Sequence, residues 1–485
     1  MSFAIVISRA ALGLQAPEIQ VEVHLSQGLP ALTIVGLPEA AVRESKDRVR
    51  SAIINSGFEF PNRRLTINLA PADLPKDGAR LDLPIALGIL AASGQLDANT
   101  LLNHEFVGEL ALNGELRAIP GVMAVARASN LAKRALLVPK DNGIEAARIP
   151  NVTVFAAQNL KQICAHLQQV ERLPAVQHEP TTQPLHVLDM ADVKGQHRAR
   201  RALEIAAAGG HSLLFSGSPG TGKTLLASRL PGILPPLTDD ESLEVASVYS
   251  IANHDIQFGE RPFRAPHHTA SAAALVGGGS KPRPGEISLA HHGVLFLDEL
   301  PEFDRKVLEV LRQPLESKEV VISRVARQIT LPANFQLIAA MNPCPCGYAF
   351  DSSNRCKCTA DMVSRYRGRL SGPLMDRIDL HIDVPALPTT DLQSKTSGET
   401  SADIRKRVIA ARERQIKRQG VANAGLNPQL LDQFANLGES EQRIISMAQQ
   451  RLNLSARAYH RVLRVARTIA DLNNDEHITT GHLTE

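Results

Sequence analysis

The sequence predicts an α/β protein in three parts: a mixed α/β region over 1–172, a parallel-sheet core over 185–388 and a helical segment over 389–485. Three observations carry this. In the middle region short apolar strands alternate with helical stretches, the order that a parallel sheet with crossover helices requires. Two of those strands, Ser212–Ser216 and Val294–Leu297, run straight into residues that bear chemistry, a glycine-rich turn and a pair of carboxylates. In the last region Val462, Val465, Ile469 and Leu472 fall on one face of a helix.

The first region has its own strand-like runs at Val21–Val23, Leu32–Val35, Leu65–Leu69, Glu105–Leu112 and Ala135–Val138, with a helical pattern over Ala40–Ile54. Residues 173–184, rich in Pro, Thr and Gln, read as a linker. The polar stretch PALPTTDLQSKTSGETS separates the core from the helical segment. A chain of 485 residues fits this division, since a domain takes about 100–200.

Composition narrows the function classes. Trp is absent and aromatics make up only 4%, which argues against readers of single strands that stack bases on aromatic faces. The net charge of +3 means that any nucleic-acid affinity comes from local basic patches. No run reaches the length of about 18 uncharged apolar residues that a membrane span needs. Arg9 interrupts the apolar start and no basic region precedes it, so no signal peptide is expected and the predicted location is cytoplasmic.

Ser212–Ser216 leads into Gly217-Ser218-Pro219-Gly220-Thr221-Gly222-Lys223-Thr224 and then the helical run Leu225–Leu230. Strand, glycine turn and helix form the context that a G-x-x-x-x-G-K-T phosphate loop needs. The glycines let backbone N–H groups close around phosphate oxygens, and the helix N-terminus adds partial positive charge. The expectation is ATP with Mg²⁺: Lys223 reaches the β- and γ-phosphates and the Thr224 hydroxyl ligates the ion. The apolar strand Val294–Leu297 delivers Asp298 to the magnesium shell and Glu299 to orient and deprotonate the attacking water. A further apolar strand, Phe335–Ala340, ends near Asn342, which either touches the γ-phosphate or the water, or is a turn residue ahead of Pro343.

Four cysteines crowd together: Cys344 and Cys346, then Cys356 and Cys358. Four thiolates suit a structural Zn²⁺ in number and softness, although each pair is C-x-C rather than the usual C-x₂-C. Free thiols or two reducible disulfides fit the same spacing. Cys164 sits in an apolar helical run and reads as a core residue. Val320–Leu331 reads as a hairpin whose tip carries Arg324 and Arg327. Arginines there suit phosphate contacts with a nucleic acid, and equally a solvated loop. His267-His268 and His291-His292 read as structural or phosphate-contacting, since adjacent histidines do not readily face one metal. Ile404–Arg418 is a basic amphipathic helix, suited to nucleic acid, membrane or a solvated lid face.

GSPGTGKT at 217–224, PGEISLAHHGVLFLDEL at 284–300, NPCPCG at 342–347 and LMDRID at 374–379 resemble the ComM/YifB group of magnesium-chelatase-like AAA+ ATPases. The resemblance spans essentially the whole chain. It implies an AAA+ core with a helical lid, working as a homo-hexamer with nucleotide sites between subunits. Arg377 matches the arginine finger and Arg457 the sensor-2 arginine of the lid. Asp192–Gln196 matches the segment around the adenine. Val276–Leu289, with Lys281 and Arg283, falls where a helix-2 insert belongs, and Val320–Leu331 where a pre-sensor-1 hairpin belongs; both would face the pore. The implied task is branch migration of single-stranded and branched DNA in natural transformation.

The first region resembles the Lon protease domain. Pro75-Lys76-Asp77-Gly78 resembles the approach to the Lon nucleophile, but Arg80 stands where the serine would fall and Met123 where the lysine would. A Lon-like but non-proteolytic domain is therefore expected. Two rivals are a chelatase-type or protein-remodelling motor and an ATP-dependent protease. The absence of acidic, integrin-like partner domains weighs against the first, and the missing dyad against the second.

Overall fold

The computed structural model describes residues 2–10, 12, 14–37, 40–74, 76, 78–177, 188–278, 283–324, 327–349, 355–387 and 398–485. The chain forms two compact units, Met1–Gln183 with Leu243–Phe258, and Pro184–Ser242 with Gly259–Glu485. Among the described residues no helix is long and apolar enough to cross a membrane.

The first unit is built on a seven-stranded mixed sheet. Its strands lie in the order Ala31–Val35, Arg64–Ala70, Glu18–Ser26, Phe3–Arg9, His104–Phe106, Ala135–Pro139 and Val154–Ala157. Every residue of the helix Asp82–Ala92 is buried, as expected of a helix that is apolar all round. Gly88 lets that helix close on the sheet, because a Cβ there would lie 2.6 Å from Val23 Cγ2. Of the positions matched to the Lon dyad, Met123 is fully buried and Arg80 is buried, donating to the Pro120 carbonyl. Lys76 is buried beside the Pro71 carbonyl, while Pro75 and Asp77 lie outside the described residues.

Two boundaries differ from the sequence expectation. Part of the supposed linker belongs to the first unit: Val176 N–H donates to the Val154 carbonyl and Ala175 bridges Phe155. The helix Asp239–Ala252, expected inside the core, joins the first unit from Leu243 onward, because Ala246 packs into the cluster of Val122, Met123 and Val125.

The second unit has a five-stranded parallel sheet in the order Phe263–Arg264, Val294–Leu297, Gln336–Met341, Leu213–Ser216 and Leu380–Asp383. Leu203, Leu213, Phe215, Phe296 and Ile338 fill its core. The strand Gln336–Met341 lies between the phosphate-loop strand and the acidic strand, with Ser216 opposite Met341 and Leu297 opposite Ala339. That register brings the phosphate loop, Asp298 and Asn342 out at one edge of the sheet, the C-terminal edge where parallel sheets place ligand chemistry.

Two hairpins leave this unit. Gly277–Gly278 pairs with Arg283–Pro284, and Arg283 is exposed; Lys281 lies outside the described residues. Glu319–Arg324 pairs with Arg327–Pro332, so the expected hairpin is present, with Arg324 opposite Arg327 next to the tip; their side chains lie outside the described set.

Among the described residues, five α-helices, Ser401–Gln419, Pro428–Phe434, Glu439–Leu452, Ala456–Asn473 and Thr480–Thr484, lie in the C-terminal segment. The basic helix keeps a solvated outer face at Lys406, Glu413 and Lys417, but most of its arginines are engaged. Arg405 and Arg412 bond backbone carbonyls of Gly232, Ala207 and Ala208, Arg407 pairs with Glu204 and Glu399, and Arg418 pairs with Asp471. Asp471 is 1% exposed and also takes Arg467 at 2.9 Å and Asn423 at 2.8 Å. Burial works against its charge, but Arg418, Arg467 and Asn423 prevail and hold its carboxyl below the ordinary value. Asp471→Ala is expected to cost about 3–5 kcal/mol, because it leaves buried guanidiniums unpaired, read as a lower denaturant midpoint. A depressed folded-state pKa contributes stability that is complete above the unfolded value, about 3.9, and is lost as pH falls below it. The parent should therefore lose stability more steeply than Asp471→Asn on acidification from pH ~5.

Candidate active site

The phosphate loop is fixed by backbone geometry that only glycine tolerates. Gly220 and Gly222 have φ of 78° and 90°. A Cβ on Gly217 would lie 2.3 Å from the Val384 carbonyl, whereas at Gly220 it would meet nothing, so the loop stays open on that side. Lys223, buried at the start of the helix Lys223–Ala227, donates to the carbonyls of Gly217 at 2.7 Å and Ser218 at 2.9 Å, and to Asn342 Oδ1 at 3.2 Å. Desolvation lowers its pKa, and the charges of Asp298 and Glu299 oppose that. Thr221 Oγ1 donates to the Ser218 carbonyl at 3.0 Å, and Gln196 donates to the carbonyls of Thr221 and Pro385. Gln196, the last residue of the segment Asp192–Gln196, thus contacts this loop, while Asp192 pairs with Arg229.

Thr224 Oγ1 donates to Asp298 Oδ2 at 2.7 Å. A hydroxyl and a carboxylate so placed, next to a buried ammonium and an open glycine loop, form a donor set suited to a hard divalent cation and a triphosphate. Glu299 N–H donates to Asp298 Oδ1 at 2.9 Å. Glu299 has φ 52° and ψ 45°, left-handed for a residue with a side chain. Such strain clusters at functional sites. Its Oε2 lies 3.2 Å from His268 Nδ1. The sequence reading left His268 as structural or phosphate-contacting; the structure makes it the neighbour of the catalytic candidate.

Lys223, Thr224, Asp298, Glu299 and Asn342 therefore meet at one edge of the sheet. Arg377 and Arg457 do not join them. Arg377 Nη2 and Arg457 Nη2 both reach Glu316 Oε1, at 2.6 Å and 3.3 Å. They line a cavity with Ser212, Gln336 and Asp379, residues at the opposite, N-terminal ends of the strands. Neither acid next to Arg377 in sequence is its partner: Asp379 pairs with His211 and accepts from Ser212 N–H.

The four clustered cysteines bring their sulfurs within 4.8 Å of one another. Cys344 Sγ lies 3.3 Å from Cys346 and 3.8 Å from Cys356, with 3.6 Å between Cys346 and Cys356. A disulfide needs about 2.05 Å, so the disulfide reading fails. Zinc bonds of about 2.3 Å give tetrahedral sulfur–sulfur edges close to those observed. The Tyr348 backbone N–H brings Cys346 down to about 6. The thiols of Cys346 and Cys344 push Cys358 up to about 12, against the opposing Cys346 backbone N–H. Four thiolates can coexist so close only around a cation. Cys164 is buried and its thiol is pushed up to about 12, an inert core residue as expected.

Three family models cover the chain. Residues 189–392 match "Magnesium chelatase, subunit ChlI", residues 21–142 match "Subunit ChlI of Mg-chelatase", and residues 398–485 match "Magnesium chelatase, subunit ChlI C-terminal". The chain is 52% identical to the Competence protein ComM of Haemophilus influenzae, covering 100% of this chain and 97% of that protein. It is also 52% identical to the protein YifB of Escherichia coli, covering 100% and 96%. The chain belongs to the ComM/YifB family. That family is magnesium-chelatase-like and AAA+, which implies ATP and Mg²⁺ at the site described above. A weaker likeness, 25% identity over 41% of this chain and 31% of that protein, links it to the Magnesium-chelatase 67 kDa subunit of Heliobacterium mobile.

Within this ComM/YifB chain the cysteine loop touches the phosphate loop. Gly347 has φ 86°, and a Cβ there would lie 2.6 Å from Pro219 Cδ. Gly347→Ala is expected to weaken ATP binding about tenfold, the equivalent of about 1.4 kcal/mol, in a fluorescent-nucleotide titration, with little change in metal content. Glu316, and the place of His268 beside Glu299, leave no trace in the sequence because their partners are far away along the chain.

Proposed function

We propose that this protein is a hexameric, ATP-driven DNA motor that migrates branched junctions and so extends the pairing of incoming single-stranded DNA with a chromosome during natural transformation. The observation that carries the reading is the separation of Arg377 and Arg457 from Lys223 and Glu299 within one chain. A site that needs all four is completed by a second copy, as in a ring. The name of the Haemophilus relative supports the link to competence.

In this reading Glu299 takes a proton from the water that attacks the γ-phosphorus, and Asn342 fixes that water's position. Lys223 and the loop amides of 217–224 hold the phosphate chain, and Arg377 of one subunit neutralises charge at its neighbour's γ-phosphate, with Arg457 beside it. Thr224 and Asp298 would hold a magnesium ion, which would supply positive charge against the phosphate chain when bound. Arg324 and Arg327 of one hairpin, with Lys281 and Arg283 of the other, grip DNA phosphates inside the pore. A structural zinc ion on Cys344, Cys346, Cys356 and Cys358 braces the loop behind Pro219. The first unit is Lon-like and non-proteolytic, and in the second unit 185–388, apart from Leu243–Phe258, is the ATPase core and 389–485 the lid. The protein works in the cytoplasm.

The deciding experiment measures ATP hydrolysis with and without single-stranded and branched DNA at two salt concentrations, alongside migration of a labelled junction. DNA stimulation that weakens with salt is expected of a motor that grips phosphates. ATP hydrolysis indifferent to DNA, with junctions unmoved, would sink the proposal and favour a chelatase-like or protein-remodelling motor, the reading that the Heliobacterium likeness keeps in view. The purified chain should also carry one zinc ion, and Cys356→Ser should lose it by elemental analysis.

A further inference from the structure

A cavity of about 450 Å³ opens at the N-terminal ends of the parallel strands, the end away from the phosphate loop. Arg261, Lys318, Arg412, Arg461 and Arg464 line it. Its volume lies within the range of about 300–1,000 Å³ that ligand sites occupy.

The hydrogen bonds of the four arginines all end on backbone carbonyls. Arg261 donates to Pro235, Pro236 and His292, and Arg412 to Ala207 and Ala208. Arg461 donates to Met375 and Ile378, and Arg464 to Leu426. Carbonyls satisfy N–H groups but carry no formal charge. Among the described residues none of these four guanidiniums has a carboxylate at ion-pair distance. Four acids line the cavity against these cations: Glu241 is engaged with His292, Asp379 with His211, and Glu316 with Arg377 and Arg457, which leaves Asp376 as the one lining acid with no ion pair among the described residues.

Lys318 adds a fifth cation. It sits between the helix Arg312–Ser317 and the hairpin strand Glu319–Arg324, held there with φ 59°. Among the described residues its ammonium has no hydrogen-bond partner. Burial lowers the pKa of Lys318, and Arg412 lowers it further. Burial also brings Arg261 and Arg412 down to about 10, with Glu241 offsetting part of it. So much positive charge in a desolvated space is costly unless an anion answers it. Guanidiniums in planar array match phosphate oxygens best.

We propose that this cavity is a second anion site that binds a polyphosphate, either the triphosphate of a nucleotide or free inorganic polyphosphate, independently of the chain's own phosphate loop. The proposal does not rest on any role for Arg377 or Arg457, nor on DNA as a partner.

The test uses full-length Lys223→Ala, in which the phosphate loop has lost its cation. Tripolyphosphate is titrated at constant ionic strength and followed by calorimetry and by the thermal midpoint. Saturable binding with a raised midpoint is expected, and Arg464→Gln or Lys318→Ala in the same background should weaken it at least tenfold. The Lys318 ammonium bonds nothing among the described residues and its backbone bonds to Pro314 and Ala333 are kept by alanine, so its variant folds even if the Arg464 variant does not. Equal affinity for ATP and tripolyphosphate would identify phosphate alone as the ligand; tighter ATP would identify a nucleotide. Absence of saturable binding, or binding indifferent to both substitutions, overturns the proposal.

Discussion

Glu299→Gln is expected to lower ATP turnover at least a hundredfold and leave nucleotide binding intact. Glutamine keeps the size of the side chain and its hydrogen-bonding oxygen but cannot take a proton from water. Positioned general bases contribute about 10²–10⁴ to rate, and the loss should fall on kcat rather than on KM. The substitution is local. Glu299 N–H still donates to Asp298 Oδ1, and the left-handed backbone at φ 52° is no harder for glutamine than for glutamate. Lys223 and Thr224, the residues proposed to hold the phosphates and the magnesium ion, are untouched. Steady-state hydrolysis and a fluorescent-nucleotide titration read the two halves of the prediction. Turnover within a few-fold of the parent would remove Glu299 from the chemistry. His268 is informative beside it, because its imidazole lies 3.2 Å from the carboxylate: a role in holding Glu299 predicts a partial kcat loss in His268→Ala.

The parts of this site that were legible in the sequence are those written in contiguous residues. A strand that turns into GSPGTGKT, or into Asp298-Glu299, carries its context with it, and the structure places both where that context says. The bond between Thr224 and Asp298 was legible only as a shared role. It forms because Gln336–Met341 inserts between the two strands and sets their register. Partners joined by tertiary packing left no such trace. Arg377 is flanked by Asp376 and Asp379, the obvious candidates, yet its carboxylate comes from Glu316 on another helix. The basic helix Ser401–Gln419 has the charge pattern of a solvated face, but its arginines end on carbonyls and buried acids of other elements. Charge periodicity alone cannot distinguish arginines that face water from arginines bonded to other elements. The helix Asp239–Ala252 was assigned to the core by sequence continuity, although Ala246 packs with the other unit.

Arg377→Ala is expected to cost about 10³-fold or more in turnover, the range for an arginine supplied in trans to phosphoryl transfer. Mixing it with Glu299→Gln should restore part of the activity. Arg377 bonds the Pro373 carbonyl at 2.6 Å and Glu316 at 2.6 Å, and its side chain is only 12% exposed, so it is held rather than free to swing. It lines a cavity with residues that begin the strands, whereas Glu299 follows the end of one. Neither inactive variant can turn over alone. In a mixed ring, an interface that draws Glu299 from an Arg377→Ala subunit and Arg377 from a Glu299→Gln subunit has both groups. Partial recovery therefore demands that the two residues act across an interface. If Arg377 instead served only to anchor Glu316 within its own chain, Arg377→Ala would lower the thermal midpoint, Arg377→Lys would largely rescue it, and mixing would restore nothing.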